Sequence, residues 1–564
     1  MISRCPFPAQ FALRLTTKRP YASGYSYPST IRLGRSNNQP LLQRQRNIRN
    51  YSFLAESNRW KEQVVMDHED SKGISSTIAV PLSTTDWDSL MRNLRNADLK
   101  LWLEEQRGVI RLWPEVTNEI NDILCLRLSS EHISSAPKIV LIRFDKELES
   151  TSASSRSCEL QPPDKRMEPL CKVTSNDPFR IVLPPRSDFN ASELLQSFLL
   201  SSYTFDRYKS NTTRSPLNKI IAEPETEMNA LVSSTFWCQD LISTPARDLS
   251  PANLQQAAQE WVDSQTPKSV AMECIIGDAL LSYNGSLATT FGCGMIHAVG
   301  QGARTEDRLP RLIRMKYEPS KKPPSTKTVA LVGKGVTFDT GGLNLKPGES
   351  MLTMKKDMGG AAHALGLFRL LVETKYPLPV ELFLPIVENV IGSHSYRPGD
   401  ILTSVNGKTT EIGNTDAEGR LILGDALALA SAEKPSIIID FATLTGAARS
   451  ALGTELPALF TNQSGLEIEA MIQASQVSRD PIWSLPLWEG YRSRMKGKIA
   501  DFGNIANDNG LGGAITAALY LSEFVDNVPW YHLDLHGLDK EGRGRAQGLH
   551  AMYAFLNTYG CQSS

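Results

Sequence analysis

At 564 residues the chain exceeds one typical domain and suits about two globular domains plus a processed segment. Its 41% hydrophobic and 21% charged residues exclude a fibrous or disordered chain. The 60 basic residues nearly cancel the 61 acidic ones, so no overall charge footprint points to nucleic acid or an anionic membrane.

The N-terminal segment has its own character. Arg4, Arg14, Lys18, Arg19, Arg32, Arg35, Arg44, Arg46 and Arg49 all precede the first acidic residue, Glu56. Arg-rich, Ser-rich and acid-free, without a central apolar block, is the composition of an organellar transit peptide. Residues 1–55 are therefore set apart as a processed segment, with cleavage expected near Arg49 to Ser52. The expected address is mitochondrial, with plastid as the alternative, and cytoplasmic if the segment is only a disordered basic tail. Cys5, Cys125, Cys158, Cys171, Cys238, Cys274, Cys293 and Cys561 lie scattered, which fits a reducing compartment. Apolar runs are broken by Gly, Pro or charge within about 10–14 residues, too short to cross a bilayer.

Residues 56–227 are expected to form a smaller N-terminal α/β domain. The apolar run Lys138 to Phe144, the stretch Trp102 to Trp113 and a helical pattern around Ser192 to Leu200 support it. The polar stretch Glu147 to Arg166 reads as a surface loop.

Residues 228–564 change texture. Strands are predicted at Thr328 to Val332, Val380 to Ile386, Ser436 to Phe441 and Trp530 to Leu535. Ala- and Leu-rich helices are predicted at Ala361 to Val372, Leu421 to Ala432 and Ala514 to Phe524. Strands alternating with helices predict a C-terminal catalytic α/β domain, with a mainly parallel central sheet flanked by helices. Such sheets bind ligands outside the carboxyl ends of their strands.

Chemistry concentrates just past those ends. Lys334, Asp339 and Lys346 fall in GKGVTFDTGGLNLK, and Asp357 precedes Met358-Gly359-Gly360-Ala361. In EIGNTDAEGRL, Asp416, Glu418 and Arg420 stand at every second position, so an extended run would point all three to one face. Three Asp and one Glu, without His or Cys, make a hard oxygen donor set. Converging carboxylates would raise one another's pKa values, and divalent cations are the physical means of keeping them ionised. Two such ions about 3.5–4 Å apart form a hydrolytic device that polarises a carbonyl and acidifies a water.

The segments NTDAEGRL (Asn414 to Leu421), VGKGVTFDTGG (Val332 to Gly342) and KKDMGGAA (Lys355 to Ala362) resemble hallmark motifs of the leucyl aminopeptidase (cytosol aminopeptidase) family. STPARDLSP, ATLTGA and WYHLDLHG extend the likeness over most of the chain after about residue 228. The resemblance implies two divalent metal ions per subunit, Zn²⁺ or Mn²⁺ with Mg²⁺ as a further candidate. Asp339 and Glu418 would bridge them, Lys334 and Asp357 would complete the tighter site, and Asp416 the more exchangeable one. Lys334 can ligate only as a neutral amine. The resemblance also implies that Lys346 stabilises the tetrahedral oxyanion and that Arg420 holds a bicarbonate acting as general base. Met354, Asn414, Thr443, Leu444 and Gly446 match substrate-pocket positions. The implied reaction is removal of a leucine-like N-terminal residue from peptides with a free α-amine, in a homohexamer whose sites face an interior cavity. Thr340, His363 and Leu365-Gly366 depart from the commoner family pattern, which bears on residue preference and leaves the ligand set intact.

Rival readings are weaker on the residues. A noncatalytic DNA-binding or chaperone-like relative would not need the complete ligand set, and the near-zero charge disfavours general DNA binding. A Cys-Gly dipeptidase uses the same site and stays open. His532, Asp534 and His536 alternate on a predicted strand and could present imidazoles to zinc, although a structural role is expected. The HExxH, GxSxG and Walker patterns are absent.

Overall fold

The computed structural model describes residues 226–561 except 266–268, 321–326 and 508–510, together with 203–210, 196, 199–200 and four short upstream strands. The basic N-terminal segment, Trp102 to Val109 and the polar stretch Glu147 to Arg166 lie outside the described residues.

The four upstream strands are β1 (Ile110–Leu112), β2 (Ile123–Leu128), β3 (Lys138–Ile142) and β4 (Phe179–Ile181), ordered β1-β2-β3-β4. The first two pairings are antiparallel and β3 runs parallel to β4. The apolar run beginning at Lys138 is thus a strand.

Downstream, apolar runs with no polar alternation require a sheet covered on both faces. That sheet joins β5 (Val270–Ile276), β6 (Arg311–Tyr317), β7 (Val329–Gly333), β8 (Gly335–Asp339), β9 (Val380–Asn389), β12 (Ile437–Ala442), β13 (Ala458–Thr461), β14 (Trp483–Ser484) and β16 (Trp530–Asp534). Its order is β14-β13-β16-β12-β7-β9-β6-β5, with β8 pairing beside β9. The pairs β16–β12, β12–β7, β7–β9 and β8–β9 are parallel, while β13–β16, β9–β6 and β6–β5 are antiparallel. The centre is therefore parallel, as the alternation of strands and helices predicts, while β13 and β14 on one side and β6 on the other run against it and β5 runs with it. A separate sheet orders β10 (Ile401–Thr403), β11 (Thr409–Glu411) and β15 (Phe502–Gly503).

Successive residues of the central strands serve different cores, because strand side chains alternate between faces. Val329, Leu331, Ile437, Ile439 and Phe441 join one core with helices α1 (Thr226–Ser243), α2 (Gly359–Glu373) and α6 (Leu549–Cys561). Ala330, Val332, Ile438 and Ala442 join the other, with α3 (Gly419–Ala432) and α5 (Gly513–Ser522). The short helix α4 (Gly446–Leu452) begins just past β12. Among the described residues no helix is long and apolar enough to cross a membrane.

Candidate metal centre

The carboxyl ends of the parallel strands converge on one cavity. Lys334 follows β7, Asp339 ends β8, Asn389 ends β9, Thr443 follows β12, and His536 lies just past β16. Backbone hydrogen bonds tie these ends together: Lys334 N donates to Phe441 O at 3.0 Å, and Ala361 N donates to Lys334 O at 2.7 Å. The end of β7, the end of β12 and the start of α2 are thereby fixed before any side chain is considered.

Into this frame come the carboxylates. Asp339, Asp416 and Glu418 each bring an oxygen to within 4.8 Å of the other two. Asp357 stands on a helical turn, Met354–Met358, and its Oδ1 accepts from Thr443 Oγ1 at 2.9 Å. It does not cap α2, whose cap position is Met358. Lys334 Nζ lies 2.8 Å from Asp357 Oδ2 and 2.9 Å from Glu418 Oε1. Lys346 Nζ lies 2.7 Å from Asp339 Oδ2 and also pairs with Asp416 Oδ1. Gly419 is what lets Lys334 reach: a Cβ there would fall 2.5 Å from Lys334 Cε and 2.7 Å from its Nζ.

The electrostatics are those of a crowded acidic cluster stripped of water. Burial foremost, then Glu418 and Asp357, pushes the Asp339 carboxyl well above its usual range. Burial also raises Asp357 and Asp416. For Glu418 burial works upward, but Lys334 and Lys346 outweigh it and draw the group below its usual value. Burial disfavours the charge on Lys334, yet Asp357, Glu418 and Asp339 together hold it more firmly protonated than an ordinary lysine. A divalent cation fits this donor set: hard oxygens, close together, in a site that otherwise penalises its own negative charge.

The segment from Asp416 to Arg420 is not the extended run that alternate spacing suggests. Asp416 lies in a turn, Glu418 has φ −75° and ψ −35° at the cap of α3, and Arg420 is in the helix's first turn. The helix begins at Gly419, so the carboxylates meet through a turn and not through a strand face. The cavity lining includes Lys334, Asp339, Lys346, Met354, Asp357, Asp416, Glu418, Thr443, Leu444 and Gly446. Asn414 and Arg420 are outside that lining. Asn414 Oδ1 accepts from Asp416 N at 2.8 Å, and Asn504 Nδ2 donates to Asn414 O at 2.6 Å, so Asn414 shapes the Asp416 turn. Arg420 is 9% exposed, and its Nε has no hydrogen-bond partner among the described residues.

Sequence reasoning passed over several participants. Asn389 Nδ2 donates to Asp339 Oδ1 at 2.8 Å and to Thr415 O at 3.0 Å, locking the Asp339 carboxylate to the Asp416 turn. Its signal was a polar residue ending an apolar strand. Lys356 and Arg449 also line the cavity. The alternating trio of β16 forms no metal cluster: His532 meets Asp440 through Nδ1 at 2.6 Å, Asp534 Oδ1 accepts from Leu444 N and Thr445 N at 3.1 Å each, and His536 Nδ1 meets Lys356 Nζ at 3.1 Å. His297 pairs with Asp278 and His550 with Thr235, which gives both hydrogen-bonded structural roles.

Comparison with known proteins places this geometry. Residues 236–555 match the catalytic domain of the cytosol aminopeptidase family. A probable cytosol aminopeptidase of Syntrophotalea carbinolica is 38% identical over 368 residues, covering 63% of this chain and 70% of its own length. Peptidase B of Vibrio atlanticus is 39% identical over 315 residues, covering 56% of this chain and 70% of its own. The crystal structure of the cytosol aminopeptidase from Coxiella burnetii superposes with a TM-score of 0.68 at 34% identity, over 88% of this chain and 99% of that one. The bottromycin maturation enzyme BotP in complex with Mn superposes with a TM-score of 0.62 at 31% identity, over 70% of this chain and 86% of that one.

Proposed function

Because the chain belongs to the cytosol aminopeptidase family and is a metal-dependent aminopeptidase, we propose that it uses two divalent cations to remove leucine-like N-terminal residues from peptides. The observation that carries this reading is the convergence of Asp339, Asp416 and Glu418 within 4.8 Å beside Asp357, buried Lys334 and half-buried Lys346. Asp339, Asp357, Asp416, Glu418 and Lys334 would hold the cations, which when bound supply Lewis acidity towards the scissile carbonyl and an acidified water. Lys334 would enter the shell as a neutral amine, so cation uptake would release the proton now held on its Nζ.

The remaining residues orient and stabilise. Lys346, anchored between Asp339 and Asp416, offers its ammonium to the oxygen that becomes negative as the carbonyl turns tetrahedral. Arg420, in the first turn of α3 with its Nε unpartnered among the described residues, would hold a bicarbonate as the general base. The apolar surfaces of Met354, Leu444, Ala448 and Leu456 in the cavity lining support acceptance of a leucine-sized side chain. Recognition of the free α-amine at the cation pair would restrict cleavage to N-terminal residues.

The deciding experiment is hydrolysis of leucine p-nitroanilide by the mature protein with Mn²⁺ or Zn²⁺, compared with Asp416→Ala and Lys346→Ala. Turnover is expected to fall by about 10²–10³ in Lys346→Ala, the scale of one lost oxyanion donor. It should also collapse in Asp416→Ala, with bound metal decreasing only there. Undiminished turnover in Asp416→Ala would overturn the assignment. We further propose a homohexamer, tested by light scattering in solution. Mitochondrial delivery by residues 1–55 is tested by following those residues fused to a fluorescent protein.

A further inference from the structure

The alternating residues of β16 hold no metal, yet they carry a buried charge arrangement that ends at the cavity. Trp530, His532 and Asp534 share one face of that strand, because strand side chains alternate. His532 and Asp440 are both 0% exposed, and Asp534 is 2% exposed. Asp440 stands beside His532 in the register of β12 with β16, and accepts from His532 Nδ1 and from Trp530 Nε1 at 2.6 Å each. A neutral imidazole would leave Asp440 a buried carboxylate without a counter-charge, so the pair is carboxylate and imidazolium. Burial works against the charge on His532, but Asp440 and then Asp534 outweigh it and raise the imidazole's pKa. His532 Nε2 has no hydrogen-bond partner among the described residues, and the rings of Trp530 and Phe460 flank it. Its charge therefore reaches Asp534 through space.

Asp534 needs that charge. Leu444 N and Thr445 N donate to its Oδ1 at 3.1 Å each, and Thr445 Oγ1 donates to its Oδ2 at 2.6 Å while accepting from Ala448 N at 3.0 Å to cap α4. A carboxylate accepts all three bonds, whereas a carboxylic acid would bring a competing proton. Its neighbours across the sheet are Ala442 and Ala458, which offer no compensation. Burial raises the Asp534 pKa, and His532 is the foremost opposing influence. Lys356, on the turn before α2, and Arg420, on α3, are the other charges that face it. Leu444, Thr445 and Gly446, the segment that Asp534 holds, line the cavity.

We propose that His532 is a positioning residue for peptide cleavage: its positive charge keeps Asp534 a carboxylate, and that carboxylate fixes the Leu444–Thr445 edge of the cavity. This rests on the aminopeptidase reading above and concerns how the substrate edge is held.

The test follows KM for leucine p-nitroanilide against pH in the Mn²⁺-loaded full chain, for the parent and His532→Gln. Glutamine keeps a donor for Asp440 and removes the charge. The variant's KM should exceed the parent's by about tenfold at about pH 6, where Asp534 takes up a proton and releases the loop, and should match it at about pH 9. Its kcat and bound Mn²⁺ should equal the parent's. Lys356 and Arg420 act alike in both proteins and cancel in the comparison. A KM raised equally at every pH marks a packing defect and overturns the proposal, as does an unchanged KM. In an Asp534→Asn background, adding His532→Gln should move KM no further at any pH. A further acid-side rise there overturns the route through Asp534. If His532→Gln does not fold, Asp440→Asn discharges the imidazole instead and must show the same acid-side rise, and its absence overturns the proposal. No turnover by the parent overturns the aminopeptidase reading itself, and the role of His532 with it.

Discussion

Replacing Gly360 by alanine should be among the most damaging single-methyl changes in this chain. A Cβ at 360 would lie 2.1 Å from Phe441 O, 2.8 Å from Lys334 N and 2.8 Å from Phe441 C, all backbone atoms that cannot swing aside. Ordinary contact begins near 3.4 Å, so the start of α2 must retreat from the end of β12 by 3.4 − 2.1 = 1.3 Å. That movement breaks the Ala361 N to Lys334 O bond of 2.7 Å, which ties α2 to the end of β7. That bond is worth about 1 kcal/mol, and overpacking adds about 1–3 kcal/mol, giving a loss of about 2–4 kcal/mol. Guanidinium unfolding of chelator-treated protein measures this free of any metal contribution. Gly348→Ala is the control, since nothing lies within 4 Å of its Cβ. A Gly360→Ala protein that unfolds within about 1 kcal/mol of the parent would refute the idea that backbone contact between α2, β7 and β12 fixes the site.

Further outcomes are expected elsewhere. His363 is fully buried, its Nδ1–H donating to Gly359 O and its Nε2 accepting from Gln547 N, and burial draws its pKa from 6.5 to about 4. Between those values the unfolded chain binds the extra proton, so stability should rise from pH 4 to 6.5 by about 3 kcal/mol and be complete above it. Unfolding of His363→Gln across that range should be flatter than the parent's. Asp440→Ala removes the acceptor of both Trp530 Nε1 and His532 Nδ1, each at 2.6 Å in the core. It should cost about 3–5 kcal/mol in the unfolding midpoint. Asp534→Ala frees the Leu444–Thr445 loop and should raise KM for leucine p-nitroanilide by about tenfold, the loss of a charge-assisted bond, with bound metal unchanged. Metal loss in that variant would mean Asp534 supports the ligands and not the pocket.

The parallel centre of the sheet was legible because its strands are continuous apolar runs. Val329–Gly333, Val380–Asn389, Ile437–Ala442 and Trp530–Asp534 fall within a few residues of their predicted spans. Helices Gly359–Glu373 and Gly419–Ala432 each begin two residues before the predicted starts, at glycines that propensity disfavours but close packing requires. The reversed strands were not legible. Arg311–Tyr317 mixes Arg and Lys among its apolar residues, and Ala458–Thr461 is too short to show a period. At the site, residue types announced the acidic cluster, whereas spacing misled. Alternation suggested an extended run from Asp416 to Arg420, and a turn into α3 was found. Asn389, Lys356 and Arg449 stayed hidden because an isolated amide or cation has no pattern until the fold supplies its neighbours.

The passage of Lys334 through the space that a Cβ at 419 would occupy makes those two positions interdependent, although 85 residues separate them. A side chain acquired at 419 would meet the far end of the lysine, which would have to leave its place between Asp357 and Glu418, or be replaced by a shorter residue, to make room. In a collection of natural variants the pair should therefore drift jointly or not at all. Engineering that exchanges the lysine donor for a smaller one would, in turn, release position 419 to vary.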